Sequence, residues 1–137
     1  MNWLKVMTLT AAVTATAAMA EVAVIVHPSN AATVDQAEIT RLFTGRGTTF
    51  SNGSKATPLN LVESAAARGE FDSKVLSKSS SQMKAYWSKL VFTGKGTPPK
   101  ELNSDADMKA AVAADVTAIG YIDAAAVDGT VKVLAKF

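Results

Sequence analysis

The sequence contains no cysteine and a single histidine, His27. Disulfides are thereby excluded, and the stability of the fold must come from its core. Histidine–cysteine metal sites and serine–histidine–aspartate catalysis have almost nothing to draw on. His27 stands where a strand is expected to end, a frequent functional position in open α/β sheets. Beside Pro28, however, it reads first as a local hydrogen-bond partner. The acidic residues are scattered over helix starts and turns rather than paired for acid–base work, so the sequence points away from an enzyme. Nothing in it calls for a cofactor or a metal. Its N-terminal apolar run, residues 6–18, falls short of the roughly 20 residues of a bilayer span. The protein is not expected to span a membrane.

What that run does resemble is a secretory signal. Residues 1–5 are weakly basic through Lys5, and Ala18-Met19-Ala20 gives a small-x-small cleavage pattern before Glu21. Residues 1–20 are expected to be a cleaved signal peptide, leaving 21–137 as one domain in the periplasm. That length lies near the ~100–150 residues typical of a domain, enough for one core without staples. The formal net charge is only +2. In an exported chain so small a charge does not point to nucleic acid. Its distribution is more telling. Between Asp72 and Glu101 lie Lys74, Lys78, Lys84, Lys89, Lys95 and Lys100 without one acid. After Glu101, Asp105, Asp107, Asp115, Asp123 and Asp128 outnumber Lys109, Lys132 and Lys136. Such asymmetry marks a candidate face for anions, against the plainer reading of a solvated helix surface.

The pattern along the chain predicts strands alternating with helices. VAVIV at 22–26 is an uninterrupted apolar run, as in a strand buried on both faces. A helix is expected over 35–43, with Ile39, Leu42 and Phe43 on its core side and Gly45 ending it. Residues 45–55 are turn chemistry around Asn52-Gly53, with Phe50 folding back onto the core. Residues 57–62 read as an edge-like strand because of Pro58. A helix over 65–76 follows, with Ser64 as its cap. Another begins near Ser80 or Ser81, its core face formed by Met83, Trp87, Leu90 and Val91. Ser104 caps a helix running to Ala114, and strands are expected over 119–122 and 131–134 around the Asp128-Gly129 turn. The expected fold is α/β: a three-layer-like sandwich with a mixed sheet flanked by helices.

Thr93-Gly94-Lys95-Gly96-Thr97 is not a P-loop, because Gly96 follows the lysine and a helix precedes the loop. An anion site is the better reading. Ser64 and the amides of Ala65 and Ala66 open a helix, where unsatisfied N–H groups favour negative charge, and Arg68 follows one turn later. Ser29 and Asn30 follow the first strand, and Lys95 sits in the glycine loop. Candidate anion-binding residues are therefore Ser29, Asn30, Ser64, Ala65, Arg68 and Lys95. The alternatives are an ordinary helix cap at Ser64 and an ordinary turn at Ser29-Asn30.

The order of VAVIVHPSNA, ITRLFTGR, PLN, SAAARGEF, QMKAYWSKLVFTGKGTPPKEL and AIGYID resembles small periplasmic proteins of the phosphate ABC transporter substrate-binding family. These have the type II periplasmic binding (PBP-like) fold, and the resemblance runs from Val22 to about Val133. It implies periplasmic, non-catalytic binding of inorganic phosphate or a similar oxyanion for uptake by an ABC permease. In larger members a serine-glycine-threonine turn at a helix start binds phosphate, with an arginine shortly before it. Here the corresponding turn is Glu63-Ser64-Ala65-Ala66, and Leu61 stands where the arginine is expected. The chain resembles a single lobe, for which a homodimer or another partner would supply the second wall. The competing reading is an interaction module that keeps the fold without tight ligand binding.

Overall fold

The computed structural model describes residues 21–137; the signal-peptide expectation for residues 1–20 lies outside them. Five strands form one mixed sheet. In chain order they are β1 (Val22–Val26), β2 (Thr57–Leu61), β3 (Lys100–Leu102), β4 (Ala118–Asp123) and β5 (Lys132–Lys136). Their order across the sheet is β3-β2-β4-β1-β5. β2 runs parallel to both β3 and β4, whereas β1 is antiparallel to β4 and β5. The helices are α1 (Gln36–Phe43), α2 (Ala66–Lys74), α3 (Ser80–Phe92) and α4 (Asp105–Ala114). No helix among the described residues is long and apolar enough to cross a membrane.

Every residue of β1 is buried, as its unbroken apolar run requires of a strand between strands and covered on both faces. On one face of the sheet, Tyr121 of β4 stacks on Phe71 of α2 with ring centroids 3.9 Å apart. Phe43 of α1 meets both rings edge-on. The next residue back, Gly120, points to the opposite face, where a β-carbon would run into Met108 of α4. Successive residues of one strand thus hold helices on both faces.

Turn and cap chemistry follow the sequence in most places. Asp35 accepts from the Glu38 amide at the start of α1, and Ser79 and Gln82 form a reciprocal capping box on α3. Ser104 accepts from the Asp107 amide. Gly45 after α1 has φ 74°, and an added β-carbon would come within 2.8 Å of the Trp87 ring, so glycine is required there twice over. Phe50 is buried, as expected.

Four expectations are corrected. β2 is an interior strand, not an edge. Pro58 is tolerated because the Thr57 amide already donates to Thr117 O on the β4 side, which turns the Pro58 nitrogen to the other flank. There β3 begins to pair only at Leu59. β3 itself, three residues behind Pro98-Pro99, was not expected. Ser64 does not cap α2: the N-cap is Ala65, with no side-chain hydrogen bond. Val91 is exposed rather than core, because Met83 and Trp87 already occupy the buried side of α3.

Candidate functional site

A cleft of about 610 Å³, roofed by α3, runs from the carboxyl end of β2 along β3 to Pro98 and Pro99 at the amino end of β3. Its floor begins with Asn60. Leu61 N–H and the Tyr121 hydroxyl both donate to Asn60 Oδ1, which leaves the amide nitrogen as the group Asn60 offers to the cleft. Burial pushes the Tyr121 phenol up, so it stays neutral and keeps its proton for that bond. Glu101 lies directly opposite Asn60 in the parallel β2–β3 register, which puts both side chains on one face.

Arg68 enters from the first turns of α2. Ala67, Arg68, Phe71 and Asp72 form the buried stripe of that helix, so an arginine is carried inward with the apolar residues. It is 6% exposed and Asp72 is fully buried. Arg68 Nε donates to Asp72 Oδ2 at 2.8 Å, and Nη1 donates to Leu61 O at 2.7 Å. Ser80 Oγ, at the start of α3, donates to the same Asp72 oxygen at 2.9 Å. The guanidinium is thereby fixed across the end of β2 while still lining the cleft. Along α3 the lining residues Ser80, Lys84, Ser88 and Val91 recur at helical spacing, so one stripe of the helix forms the roof. The polar end lies by Arg68. The other end closes with Phe92, Pro98 and Pro99.

The six residues singled out from the sequence do not form one site. Ser64, Ala65 and Arg68 lie at the carboxyl ends of β2 and β3, beside the cleft. Ser29 and Asn30 follow β1, but β1 runs antiparallel to β4, so they sit at the opposite end of the strands beside Val116 and Thr117. Asn30 is a structural residue there: Oδ1 accepts from Ala32 N–H at 2.8 Å, and Nδ2 donates to Val116 O at 3.2 Å. The Ser29 amide donates to His27 Nδ1, the local partnership expected of that histidine. Lys95 precedes β3 and lines a separate hollow with Leu59, Trp87 and Asp115. Its amide donates to Leu90 O and closes the end of α3. Sequence reasoning missed Asn60, Asp72 and Glu101. Of these, only Asp72 had a readable signal that was not used: its spacing of four from Arg68, which places the two on one helix face.

No protein-family model and no curated protein matches the sequence. Solved structures match its fold. An ABC-type phosphate transport receptor from Vibrio cholerae superposes with a TM-score of 0.66 at 20% identity, over 84% of this chain and 46% of the receptor. A putative phosphate ABC transporter substrate-binding protein from Clostridium perfringens, solved with bound phosphate, gives 0.66 at 17% identity over 84% and 45%. PstS from Borrelia burgdorferi gives 0.60 at 12% identity over 85% and 47%. The chain spans a little under half the length of these proteins, and its mixed sheet flanked by helices matches a single lobe of their fold.

Proposed function

We propose that the protein is a periplasmic, non-catalytic solute-binding protein that takes phosphate or a similar oxyanion into the Arg68 cleft for delivery to an ABC permease. The observation that carries this reading is the placement of Arg68. Its guanidinium is held on the Leu61 carbonyl and by Asp72, nearly buried, yet it forms part of the wall of an open cleft. The resemblance calls for an arginine near the position of Leu61; here a guanidinium arrives there from one turn inside α2. The Arg68 end of the cleft lies at the carboxyl end of β2, a parallel strand, where ligands bind in open α/β sheets. The start of α2 lies beside it, with no side-chain cap and no acid in its first turn. Single-lobe likeness to phosphate-binding proteins supports the same reading.

Calorimetric titration with phosphate and with sulfate tests it. Saturable heat is expected, weakened about tenfold or more in Arg68→Lys, because an ammonium cannot reproduce the guanidinium fork. No heat and no shift in melting temperature at millimolar phosphate would sink the reading. One observation favours the second reading, an interaction module: Phe92 is 92% exposed and Val91 stands beside it at the cleft mouth. Partner capture that is lost in Phe92→Ser, with no phosphate binding by the unaltered protein, would establish that reading instead.

A further inference from the structure

We infer that Asn60 is the second ligand-contacting donor of this cleft, and that the Tyr121 hydroxyl is the positioning group that keeps its amide nitrogen turned towards the oxyanion. The inference rests on the reading of the cleft as an oxyanion site and names what grips the ion besides Arg68. Asn60 is only 6% exposed. A side chain so buried ordinarily spends its polar atoms on the protein. Its Oδ1 does so, accepting from the Leu61 N–H at 2.9 Å and from the Tyr121 hydroxyl. Its nitrogen has no hydrogen-bond partner among the described residues. Nor is that nitrogen sealed from water, as the unpartnered Asp72 Oδ1 and Trp87 Nε1 are. It opens into the cleft.

The orientation of the amide is set from two sides. A backbone N–H can only donate, so the atom facing Leu61 N must be the oxygen. The Leu61 N–H also reaches the Tyr121 oxygen at 3.3 Å, which leaves the phenol's own proton for Asn60 Oδ1. Tyr121 cannot turn away, because it is fully buried and stacks on Phe71 with the two rings 2° from parallel. Arg68 is tied to the same residue by its other backbone group: Nη1 donates to Leu61 O at 2.7 Å, while Nε donates to Asp72. Nη2 has no partner among the described residues and, like the Asn60 nitrogen, is not sealed. Leu61 thus anchors one free donor through its N–H and another through its C=O. Both are fixed before a ligand arrives, and both suit an oxygen that carries charge and no proton. Glu101 stands opposite Asn60 in the strand register, but it is exposed and makes no hydrogen bond to it.

Calorimetric titration with sulfate and with phosphate tests this. Asn60→Ala is expected to weaken the bound ion about tenfold to hundredfold, the range of a hydrogen bond to a charged group. Asn60→Asp is nearly isosteric and keeps one oxygen for Leu61 and Tyr121, but turns the other to the cleft. It is expected to weaken sulfate, which has no proton to share, more than Asn60→Ala does. Tyr121→Phe keeps the ring stack and is expected to weaken binding several-fold. Because the hydroxyl acts through Asn60, adding Tyr121→Phe to Asn60→Ala should cost nothing more, whereas a merely structural hydroxyl would add its loss again. Affinity within about twofold of the unaltered protein in Asn60→Ala or in Tyr121→Phe, or losses that add in the double variant, overturns the inference and leaves oxyanion binding intact. Heat with neither ion in the unaltered protein removes both.

Discussion

Replacing Asp72 by alanine should show whether Arg68 is held as described. Asp72 is fully buried, and one of its oxygens accepts both from Arg68 Nε at 2.8 Å and from Ser80 Oγ at 2.9 Å. Without the carboxylate, Arg68 keeps only the Leu61 carbonyl as a partner among the described residues and becomes an uncompensated charge at 6% exposure. Breaking a buried pair from one side costs about 3–5 kcal/mol. The cleft admits water to the outer side of the guanidinium, so the lower end, about 3 kcal/mol, is expected. Against a total stability of about 5–15 kcal/mol that is a large fraction. With a urea slope of about 1–3 kcal/mol/M, the unfolding midpoint falls by roughly 1–3 M. Urea titration followed by tryptophan fluorescence reads this directly. The double variant Arg68→Met, Asp72→Leu removes both charges and fills their volume, and should recover most of the loss. If Asp72→Ala costs less than about 1 kcal/mol, the level of an exposed pair, the two residues do not form the buried pair and the floor of the site is wrongly built.

Two predictions concern titration. Burial raises the Tyr121 phenol above its ordinary value of about 10. The stability it contributes is therefore complete below about pH 10 and is lost as the pH rises beyond it; Tyr121→Phe should flatten that alkaline decline in urea titrations, and an unchanged slope would refute the assignment. Asp128 is the opposite case: hydrogen bonds from the Thr130 side chain and amide, and then from Lys109, lower its carboxyl to about 2. Its contribution is present above the ordinary value of about 3.9 and is lost as the pH falls towards 2. Carbon NMR of the carboxyl should show that midpoint, and Thr130→Val should raise it more than Lys109→Ala does; the reverse order would contradict the geometry.

The fold was legible where one kind of physics acted alone. The unbroken VAVIV run can be satisfied only by a covered interior strand, and that is where β1 lies. Gly45, Phe50 and the Ser104 cap of α4 were readable because their causes are local. β2 and β3 were not, because pairing decides them. Pro58 looked like an edge marker, and nothing within 57–61 tells that β3 starts one residue later and spares its missing donor. Lys100–Leu102 carries no β-branched residue and becomes a strand through β2 alone. The site was half legible. Arg68 was singled out from its distance to Ser64, yet its partner is Asp72, four residues on, and the hydrogen bond to Leu61 O reaches back to the end of β2. Ser29 and Asn30 do follow a strand, but the direction of β1, which no local signal encodes, places them at the far end of the strands.

The openness of the cleft decides which contacts matter most in it. A charge pair at 4 Å contributes only about 1 kcal/mol where water surrounds it. Removing one aliphatic or aromatic side chain from water contributes about 1.5–3 kcal/mol and is not screened by salt. In a single open lobe, then, Val91, Phe92 and the two prolines can add more affinity than Lys84 or Glu63, although the charged residues set which way round a ligand lies. Phe92, at 92% exposed, has this potential wholly unused in the described lobe. On the proposed solute-binding reading, the cationic stretch from Lys74 to Lys100 therefore contributes less through its lysines than through the apolar end of α3. Arg68 escapes the discount because its charge is fixed at a buried position before any ligand arrives, so little ordering is left to oppose binding. On the proposed solute-binding reading, the cleft thus divides its work between one pre-set guanidinium for orientation and an apolar mouth for added affinity.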